Sequence, residues 1–172
     1  MKLAVRRLEP ADDRSAFRSG NPDLDRFFLR YAGQNQFRNY IGTTYIAIHT
    51  SNFIAGFATV TASELAPATL PSSRRRRLPR YPLPVLRLAR LATDERARGR
   101  GVGQLLLRST ILLAQQMATT IGCIGIVVDA KPEAIPFYQK LGFLPLETTS
   151  GQLGDRPEPL PMFLELPPPP NP

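Results

Sequence analysis

Arginines and glycines crowd one short stretch of the sequence. Residues 96–107 read RARGRGVGQLLL, in which three arginines and three glycines precede a run of leucines. Glycine at this density disfavours a helix interior, whereas leucine favours one. The stretch therefore predicts a positively charged turn that leads into a helix. Such a turn can bind an anion, because free backbone amides and the helix dipole converge there.

The glycine spacing excludes two common phosphate-binding motifs. Gly99, Gly101 and Gly103 do not fit the G-x-G-x-x-G pattern, and no Gly-Lys-Ser/Thr follows as in a P-loop. What remains is an arginine at position 98 with glycines three and five residues later. The alternative at this point is a turn whose glycines serve the backbone geometry alone.

No strong general base stands out beside this turn. His49, the one histidine, falls in a predicted strand, where a structural role is the more common one. Glu64 and Asp129 could move protons through water. An α-amine, with a pKa of about 8, is partly neutral at pH 7, whereas a lysine amine, with a pKa of about 10.4, is almost fully charged. Should the acceptor be an amine, a site without a strong base therefore suits amines of low pKa.

Composition narrows the class of protein. The 172 residues carry a net charge of +8, which favours a polyanion or a strongly acidic ligand as partner, and a generally basic proteome is the alternative. One cysteine excludes an internal disulfide, and one cysteine with one histidine are too few for a zinc site, so no metal is expected. With no apolar run of membrane-spanning length and no signal peptide, we expect a cytoplasmic protein that does not enter a membrane.

The chain must position the turn with a mixed set of strands and helices. Proline and arginine fill the stretch PATLPSSRRRRLPRYPLP, which predicts a loop, and PPPPNP predicts a tail outside the sheet. The predicted elements are a strand at Leu3–Leu8, a helix capped by Asn21 or Asp23, a hairpin of TTYIAIHT and FIAGFATVTA, a strand VLRLARLAT, a helix from about Val102 to Ala118, a buried strand CIGIVVDA, a short helix PEAIPFYQKLGF ended by Gly142, and a strand MFLEL.

These elements predict a mixed α/β sheet with helices on its faces. One domain is expected over residues 1–166, with a proline-rich tail at 167–172 and no internal repeat. The long helix is expected to turn one mostly apolar stripe toward the sheet, formed by Leu105, Leu106, Ser109, Leu112, Leu113 and Gln116.

At this point the run Arg98–Gly103 resembles the R/Q-x-x-G-x-G/A pyrophosphate loop of the GNAT acyl-CoA N-acyltransferases. The strands on both sides and the stretch AIPFYQKLGF at Ala134–Phe143 follow that family's order. The resemblance implies the GNAT fold, a central, mostly antiparallel sheet with splayed strands and flanking helices. It also implies an N-acetyltransferase that takes acetyl-CoA.

The resemblance also implies roles for individual residues. Tyr138 is the expected general acid, which protonates the leaving thiolate; a core aromatic is the alternative. Lys131 stands where many members of the family carry Asn against pantetheine, and a lysine could reach a phosphate instead. The residues expected to bind acetyl-CoA are Leu91, Ala92, Thr93, Arg98, Gly99, Arg100, Gly101, Val102, Gly103, Lys131 and Phe137.

From Leu3 to Leu166 the chain is similar to the GNAT toxins of toxin–antitoxin pairs, on stretches such as FRSGNPDLDRFFLRYAGQNQ and GIVVDAKPEAIPFY. That group acetylates the α-amine of aminoacyl groups on charged tRNA and blocks translation, and its partners are ribbon-helix-helix antitoxins. The resemblance thus implies charged tRNA as substrate and such an antitoxin as partner, with homodimerisation left open. The expected tRNA contacts are Arg74, Arg75, Arg76, Arg77, Arg80, Arg87 and Arg90.

The basic residues and the activity of the chain each have an alternative interpretation. The RRRR run at 74–77 could be a solvated loop without a partner, and Arg87 and Arg90 share one face of their strand only if a bulge lies between them. The chain could be an orphan GNAT that acetylates a small amine or a protein N-terminus. A non-catalytic module that binds acyl-CoA or RNA is a further possibility.

Overall fold

A computed structural model describes residues 1–147 and 159–167 of the chain. It contains a seven-stranded, mostly antiparallel sheet in the order β1-β2-β3-β4-β5-β7-β6, with flanking helices. The strands are β1 (Leu3–Arg7), β2 (Thr43–His49), β3 (Ile54–Leu65), β4 (Leu83–Thr93), β5 (Gly125–Ala130), β6 (Leu144–Pro145) and β7 (Leu160–Glu165). The predicted mixed α/β fold class is confirmed, and so are the predicted strands.

Within residues 1–147 and 159–167, five α-helical segments accompany the strands. They are α1 (Pro22–Arg26), α2 (Ala32–Gln34), α3 (Ser72–Arg75), α4 (Val102–Thr120) and α5 (Ile135–Lys140). Of the two predicted caps for the first helix, Asn21 is correct, because its side chain accepts from the amides of Asp23 and Leu24. Two π-helical turns, Phe27–Tyr31 and Asn35–Asn39, follow α1 and α2, respectively.

The described residues divide into two compact units. The first comprises Met1–Thr61 and Leu88–Leu112, and the second comprises Ala62–Arg87 and the described residues from Leu113 on. The prediction of one acetyltransferase domain over residues 1–166 stays a prediction. Beyond Pro167, the predicted proline-rich tail lies outside the described residues.

The first unit is built around stacked phenylalanines. Phe28 and Phe57 stack with ring centroids 4.3 Å apart, and Phe17 meets both rings edge-on. Strands β1 and β3 pair with β2 on either side in antiparallel register, so this core fixes the strands that precede β4.

Gly56 of β3 lets helix α4 approach this unit closely. A Cβ at Gly56 would lie 2.7 Å from Cγ1 of Val102, 2.8 Å from the carbonyl oxygen of Ala92 and 3.1 Å from Cδ1 of Leu106. Because no side chain larger than hydrogen fits, the first turns of α4 rest directly on the sheet.

The predicted apolar stripe of α4 is wrong in its phase. Leu112 is 57% exposed and Gln116 is also exposed. The apolar residues of the helix allow more than one buried face. The close approach at Gly56 selects the face that begins with Val102 and Leu106. The fully buried positions of the helix are Val102, Leu106, Leu107, Thr110 and Ala114.

The second unit has its own apolar core. Strand β5 pairs with β7, and β6 pairs with the other edge of β7. A Cβ at Gly125 would lie 2.3 Å from the carbonyl oxygen of Leu164, so β5 and β7 require glycine there. The core residues are Leu65, Leu70, Leu83, Val85, Val127, Leu146 and Phe163.

The predicted loop between β3 and β4 needs correction. It contains a 3-10 turn at Pro67–Thr69 and the helical turn α3. Pro67 and Pro71 stand at the starts of these turns, where the fixed φ of proline and its missing N–H cost nothing. Proline therefore begins local structure here rather than excluding it.

Candidate functional site

The turn after β4 has the geometry of an anion cradle. Gly99 and Gly101 have φ values of +75° and +77°, which residues with a Cβ rarely adopt. The space on the Cα of Gly99 is empty within 4 Å, and only Oε1 of Gln104, at 3.8 Å, approaches that of Gly101. The glycines therefore set the backbone conformation and leave open space in front of it.

Five successive amides of this turn are free. Within the described ranges, no group accepts a hydrogen bond from the amides of residues 99–103, and the first amide that donates back along the helix is that of Leu105, to the carbonyl of Gly101. These amides lie at the N-terminus of the 19-residue helix α4, whose dipole favours a negative charge. The cradle thus fits a phosphate or pyrophosphate group.

The two arginines of the turn differ in their surroundings. Arg98 donates through Nη2 to the carbonyl oxygen of Ser19 at 2.7 Å and lies 3.8 Å from Oε1 of Glu95. Arg100 is exposed and has no ion pair in the described part of the chain. Arg100 is therefore free to contact an incoming anion, whereas Arg98 is already held by the protein.

Sequence reasoning missed the buried carboxylate that precedes the turn. Asp94 has a fully buried side chain. Its Oδ1 accepts from the amide and the Nε of Arg96, each at 2.9 Å, and its Oδ2 accepts from Nη2 of Arg96 at 3.0 Å and from the amide of Arg18 at 3.1 Å. Burial raises the pKa of Asp94, but the hydrogen bonds from Arg96 and Arg18 outweigh burial and leave that pKa below its usual value. The sequence signal that could have identified Asp94 is an acidic residue directly after a strand and two residues before an arginine.

The end of strand β4 leads into the turn as predicted. Leu91 and Thr93 are half-buried and Ala92 is buried. Asp94 then caps the 3-10 turn Glu95–Ala97, from which the chain enters the glycines. Leu91–Thr93 thus lie on the strand that leads directly to the cradle. The prediction of a pantetheine-binding strand requires this position.

Tyr138 lies in the second unit, on helix α5. Its ring is 5% exposed and packs edge-on against Phe137 and Phe143, each with centroids 5.2 Å away. Burial raises the pKa of Tyr138 to about 12. Because this pKa lies far above 7, the phenol is neutral and keeps its proton. Among the described residues, its hydroxyl has no hydrogen-bond partner. Lys131, at the start of the turn before α5, is exposed.

The basic segment between β3 and β4 forms an open groove in the second unit. Its volume is about 700 Å³, and Arg75, Arg76 and Arg80 line it together with the rings of Pro79 and Pro82. Arg77 is exposed beside it. Arg74 instead contacts Glu165, so its charge is partly neutralised within the protein.

The two arginines of strand β4 have different partners. In the second unit, Arg87 forms a 3.0 Å ion pair with Asp129 and a 3.4 Å hydrogen bond to Oγ of Ser63. In the first unit, the guanidinium of Arg90 lies 3.7 Å from the centroid of the Phe27 ring. Burial lowers the pKa of Arg90, and no acidic side chain in the described ranges pairs with it.

The candidate bases fall into separate surroundings. His49 bonds through Nδ1 to Oγ of Ser51, at 2.8 Å, in the β2–β3 turn, which is the structural role expected of it. Asp129 is engaged by Arg87, and Glu64 is exposed. In the described ranges, no three side chains of metal-binding type lie together, and no helix has both the length and the apolar character to cross a membrane.

Comparisons with known proteins agree with this geometry. The family model of the GNAT acetyltransferase domain matches residues 41–145. The tRNA-acetylating toxin of Mycobacterium tuberculosis is 36% identical over 141 residues, which cover 81% of this chain and 83% of that protein.

Solved structures show the same fold. AtaT complexed with acetyl-methionyl-tRNAfMet superposes with a TM-score of 0.82 at 27% identity, over 95% of both chains. A mutant of KacT superposes with a TM-score of 0.83 at 22% identity, over 96% of both chains. With a glycine turn of free amides at the start of α4, and with the family model covering more than half of its length, the chain belongs to the GNAT acetyltransferase family.

Proposed function

We propose that this chain transfers acetyl from acetyl-CoA to the α-amine of aminoacyl-tRNA and acts as a toxin by blocking translation. The observation that carries the choice of substrate is a set of arginines without acidic partners in the described ranges. They are Arg75, Arg76, Arg77, Arg80 and Arg90. An acetyltransferase for a small amine or a protein N-terminus has no need of so much unpaired positive charge.

The turn after β4 is the proposed site of the CoA pyrophosphate. Amides 99–103 donate to the phosphate oxygens, and Arg100 adds a charge-assisted contact. Strand residues Leu91–Thr93 are proposed to hold pantetheine as an added strand. Acetyl-CoA supplies the activated acetyl group, and the residues of the chain hold and orient it.

Tyr138 is proposed as the general acid. Its raised pKa keeps the hydroxyl protonated over the whole physiological range, so that the proton is available when the thiolate leaves. The pocket of Phe137 and Phe143 keeps water from the ring and fixes its direction. The acceptor amine loses its own proton to water, since the residues that the structure describes offer no strong base and the α-amine has a low pKa.

Charged tRNA is proposed to contact the arginines through its phosphates and its unpaired end. Arg90 is the stronger candidate of the two strand arginines, because its charge is partly removed from water and has no acidic partner among the described residues. Arg87 is engaged by Asp129. In the basic groove, the flat faces of the prolines and guanidinium groups suit stacked bases as well as phosphates.

Relatives support the same reading of substrate and partner. The M. tuberculosis relative is named for tRNA acetylation, AtaT is seen with acetyl-methionyl-tRNAfMet, and AtaT is also seen with acetyl-CoA and with its antitoxin AtaR. We extend these properties to this chain, with charged tRNA as substrate, acetyl-CoA as donor and an antitoxin as partner. We further propose that the antitoxin is of the ribbon-helix-helix type and that the protein acts in the cytoplasm, where charged tRNA is found.

The decisive assay incubates bulk charged tRNA and labelled acetyl-CoA with the purified protein, and then identifies the acetylated amino acid. We expect label on the α-amine of aminoacyl-tRNA, and growth arrest when the protein is induced in a bacterium without antitoxin. Label on a free amine or a peptide N-terminus, with none on tRNA, would refute the toxin function. Acetyl-CoA binding without turnover on any amine would favour a non-catalytic module.

A matched set of variants tests the tRNA contacts. Neutralising Arg75, Arg76 and Arg77 together should weaken tRNA binding and flatten its dependence on salt, because fewer counterions are released. Arg90→Gln should raise the KM for tRNA more than Arg87→Gln, whose arginine is already paired. Acetyl-CoA affinity should stay unchanged in the groove variant, and an equal effect of Arg87→Gln and Arg90→Gln would contradict the assignment.

A further inference from the structure

We propose that Asp94 is a positioning residue, which, with the segment Arg18–Gly20, holds the Arg98–Gly103 turn in the shape that binds pyrophosphate. This inference rests on the proposed binding of acetyl-CoA at that turn. Neither Asp94 nor the segment belongs to the turn itself, and all of these residues lie in the first unit.

Hydrogen bonds run from the segment to both ends of the stretch that precedes the glycines. The amide of Arg18 donates to Asp94, and the amide of Glu95 donates back to the carbonyl oxygen of Arg18 at 2.8 Å. Three residues later, Arg98 donates to the carbonyl oxygen of Ser19 at 2.7 Å. The chain that enters the turn is thereby fixed at three points against one short segment.

The segment is itself anchored to the rest of the unit. Asp25 of helix α1 accepts through Oδ1 from the amide of Ser19 at 2.9 Å and from its Oγ at 2.6 Å. The amide of Asp94 donates to the carbonyl oxygen of Ala55 in β3 at 2.8 Å. The turn is therefore connected to helix α1 on one side and to the sheet on the other.

Gly20 completes the arrangement by leaving room for Arg98. Its φ is +90°, and a Cβ there would lie 2.7 Å from Nη2 of Arg98 and 2.8 Å from Oε1 of Glu95. An alanine at this position would displace the guanidinium from the carbonyl of Ser19. A second variant thus disturbs the same brace without removing the buried carboxylate.

The amides of residues 99–103 need such a brace because none of them donates an internal hydrogen bond in the described structure. Five free donors bind an anion well only if they already point at it, since ordering them on binding costs conformational entropy. Asp94 also satisfies Arg96, whose guanidinium lies 4.7 Å from the centroid of the Phe53 ring. This fixes the side chain that flanks the turn.

The test compares Asp94→Asn with Asp12→Asn. Asp12 forms a two-point ion pair with Arg6, at 2.8 and 2.9 Å, in the same unit but outside the brace. In Asp94→Asn, an amide NH₂ group replaces one of the two carboxylate oxygens. This donor then faces the donors of Arg96 or the amide of Arg18, so at least one hydrogen bond is lost. We expect both variants to lower the thermal midpoint, and only Asp94→Asn to weaken acetyl-CoA binding, by tenfold or more in calorimetry.

Hydrogen exchange of the amides of Arg18, Asp94 and Glu95 without acetyl-CoA supplies a readout independent of binding, because each of these amides donates a hydrogen bond in this arrangement. Their exchange should speed up in Asp94→Asn and not in Asp12→Asn. Gly20→Ala should behave as Asp94→Asn does, whereas Gly33→Ala, whose Cβ would meet only the side chain of Arg14, should leave both readouts unchanged. If Asp94→Asn does not fold, the two glycine variants decide the matter.

Wild-type affinity and unchanged exchange in Asp94→Asn or in Gly20→Ala would overturn the positioning role. Failure of the wild-type protein to bind acetyl-CoA would instead refute the proposed function. In that case the exchange of the amides of Arg18, Asp94 and Glu95 still decides whether Asp94 holds the segment Arg18–Gly20 against the chain that enters the turn.

Discussion

Tyr138→Phe is the sharpest test of the chemistry. The substitution removes one hydroxyl and almost no volume from a ring held between Phe137 and Phe143. That hydroxyl has no hydrogen-bond partner within the described ranges, so its removal leaves no buried group unpaired. We therefore expect the free energy of unfolding to change by less than about 1 kcal/mol at pH 7, in either direction.

Turnover should change far more than stability. A positioned general acid contributes roughly 10²–10⁴-fold, so the lower end predicts a hundredfold fall in kcat, or about 2.7 kcal/mol. The lower end applies because a phenol with a pKa of about 12 is a weaker acid than the thiol that forms, so proton transfer from the phenol to the thiolate is unfavourable. The same pKa predicts no loss of activity from ionisation of Tyr138 below about pH 11, since the acid stays protonated up to its folded pKa.

The assay measures kcat and KM on charged tRNA, acetyl-CoA affinity by calorimetry, and growth after induction. Tyr138→Phe should keep acetyl-CoA affinity and relieve growth arrest. Tyr45→Phe, which removes the hydroxyl of a half-buried tyrosine in β2, is the matched control and should retain activity. Unchanged turnover in Tyr138→Phe would show that water or another group supplies the proton, and the assignment of the general acid would be wrong.

Three further outcomes follow from single positions. Gly101→Val should abolish acetyl-CoA binding in calorimetry while circular dichroism stays native. The valine side chain would fill the open space in front of the turn, and the φ of +77° is strained for valine. Unchanged affinity would show that the turn is not part of the cofactor site. Asn21→Ala should lower the free energy of unfolding by about 1 kcal/mol in urea, since two amides lose their cap; no loss would contradict the cap. Because the pKa of Tyr138 is raised, the folded state binds the phenol proton more tightly than the unfolded state does. The resulting contribution to the free energy of unfolding is present below about pH 10 and is lost as the pH rises toward 12. At most about 2.7 kcal/mol is lost, and urea titrations between pH 9 and 11 should show a shallower loss for Tyr138→Phe.

Local sequence signals predicted the turn because its geometry depends on a few residues. Gly99 and Gly101 adopt positive φ, as suits a glycine turn, and Asn21, one of the two caps that residue type offered, caps the first helix. The order of strands and helices also followed from punctuation by glycine and proline. Such features are decided within a few residues, where sequence is most informative.

Long-range contacts decided what sequence reasoning missed. The phase of α4 depends on Gly56, which lies 46 residues before Val102 in the chain. Asp94 gains its role from Arg18, 76 residues away. Which arginine is paired could not be read from the sequence either, since Arg87 and Arg90 differ only in the partners that the fold brings to them.

The close approach at Gly56 has a consequence for genetics. In an unbiased screen for alleles that survive induction of this protein, substitutions should recur at Gly56, although it belongs to neither the cradle nor the basic groove. Even alanine there would push on Val102 and on the carbonyl of Ala92, and so would move the cradle itself. The allele should be partly suppressed by a smaller residue at position 102, such as alanine in place of Val102. Such a pair of mutations would map, from survival alone, the contact on which the start of helix α4 rests.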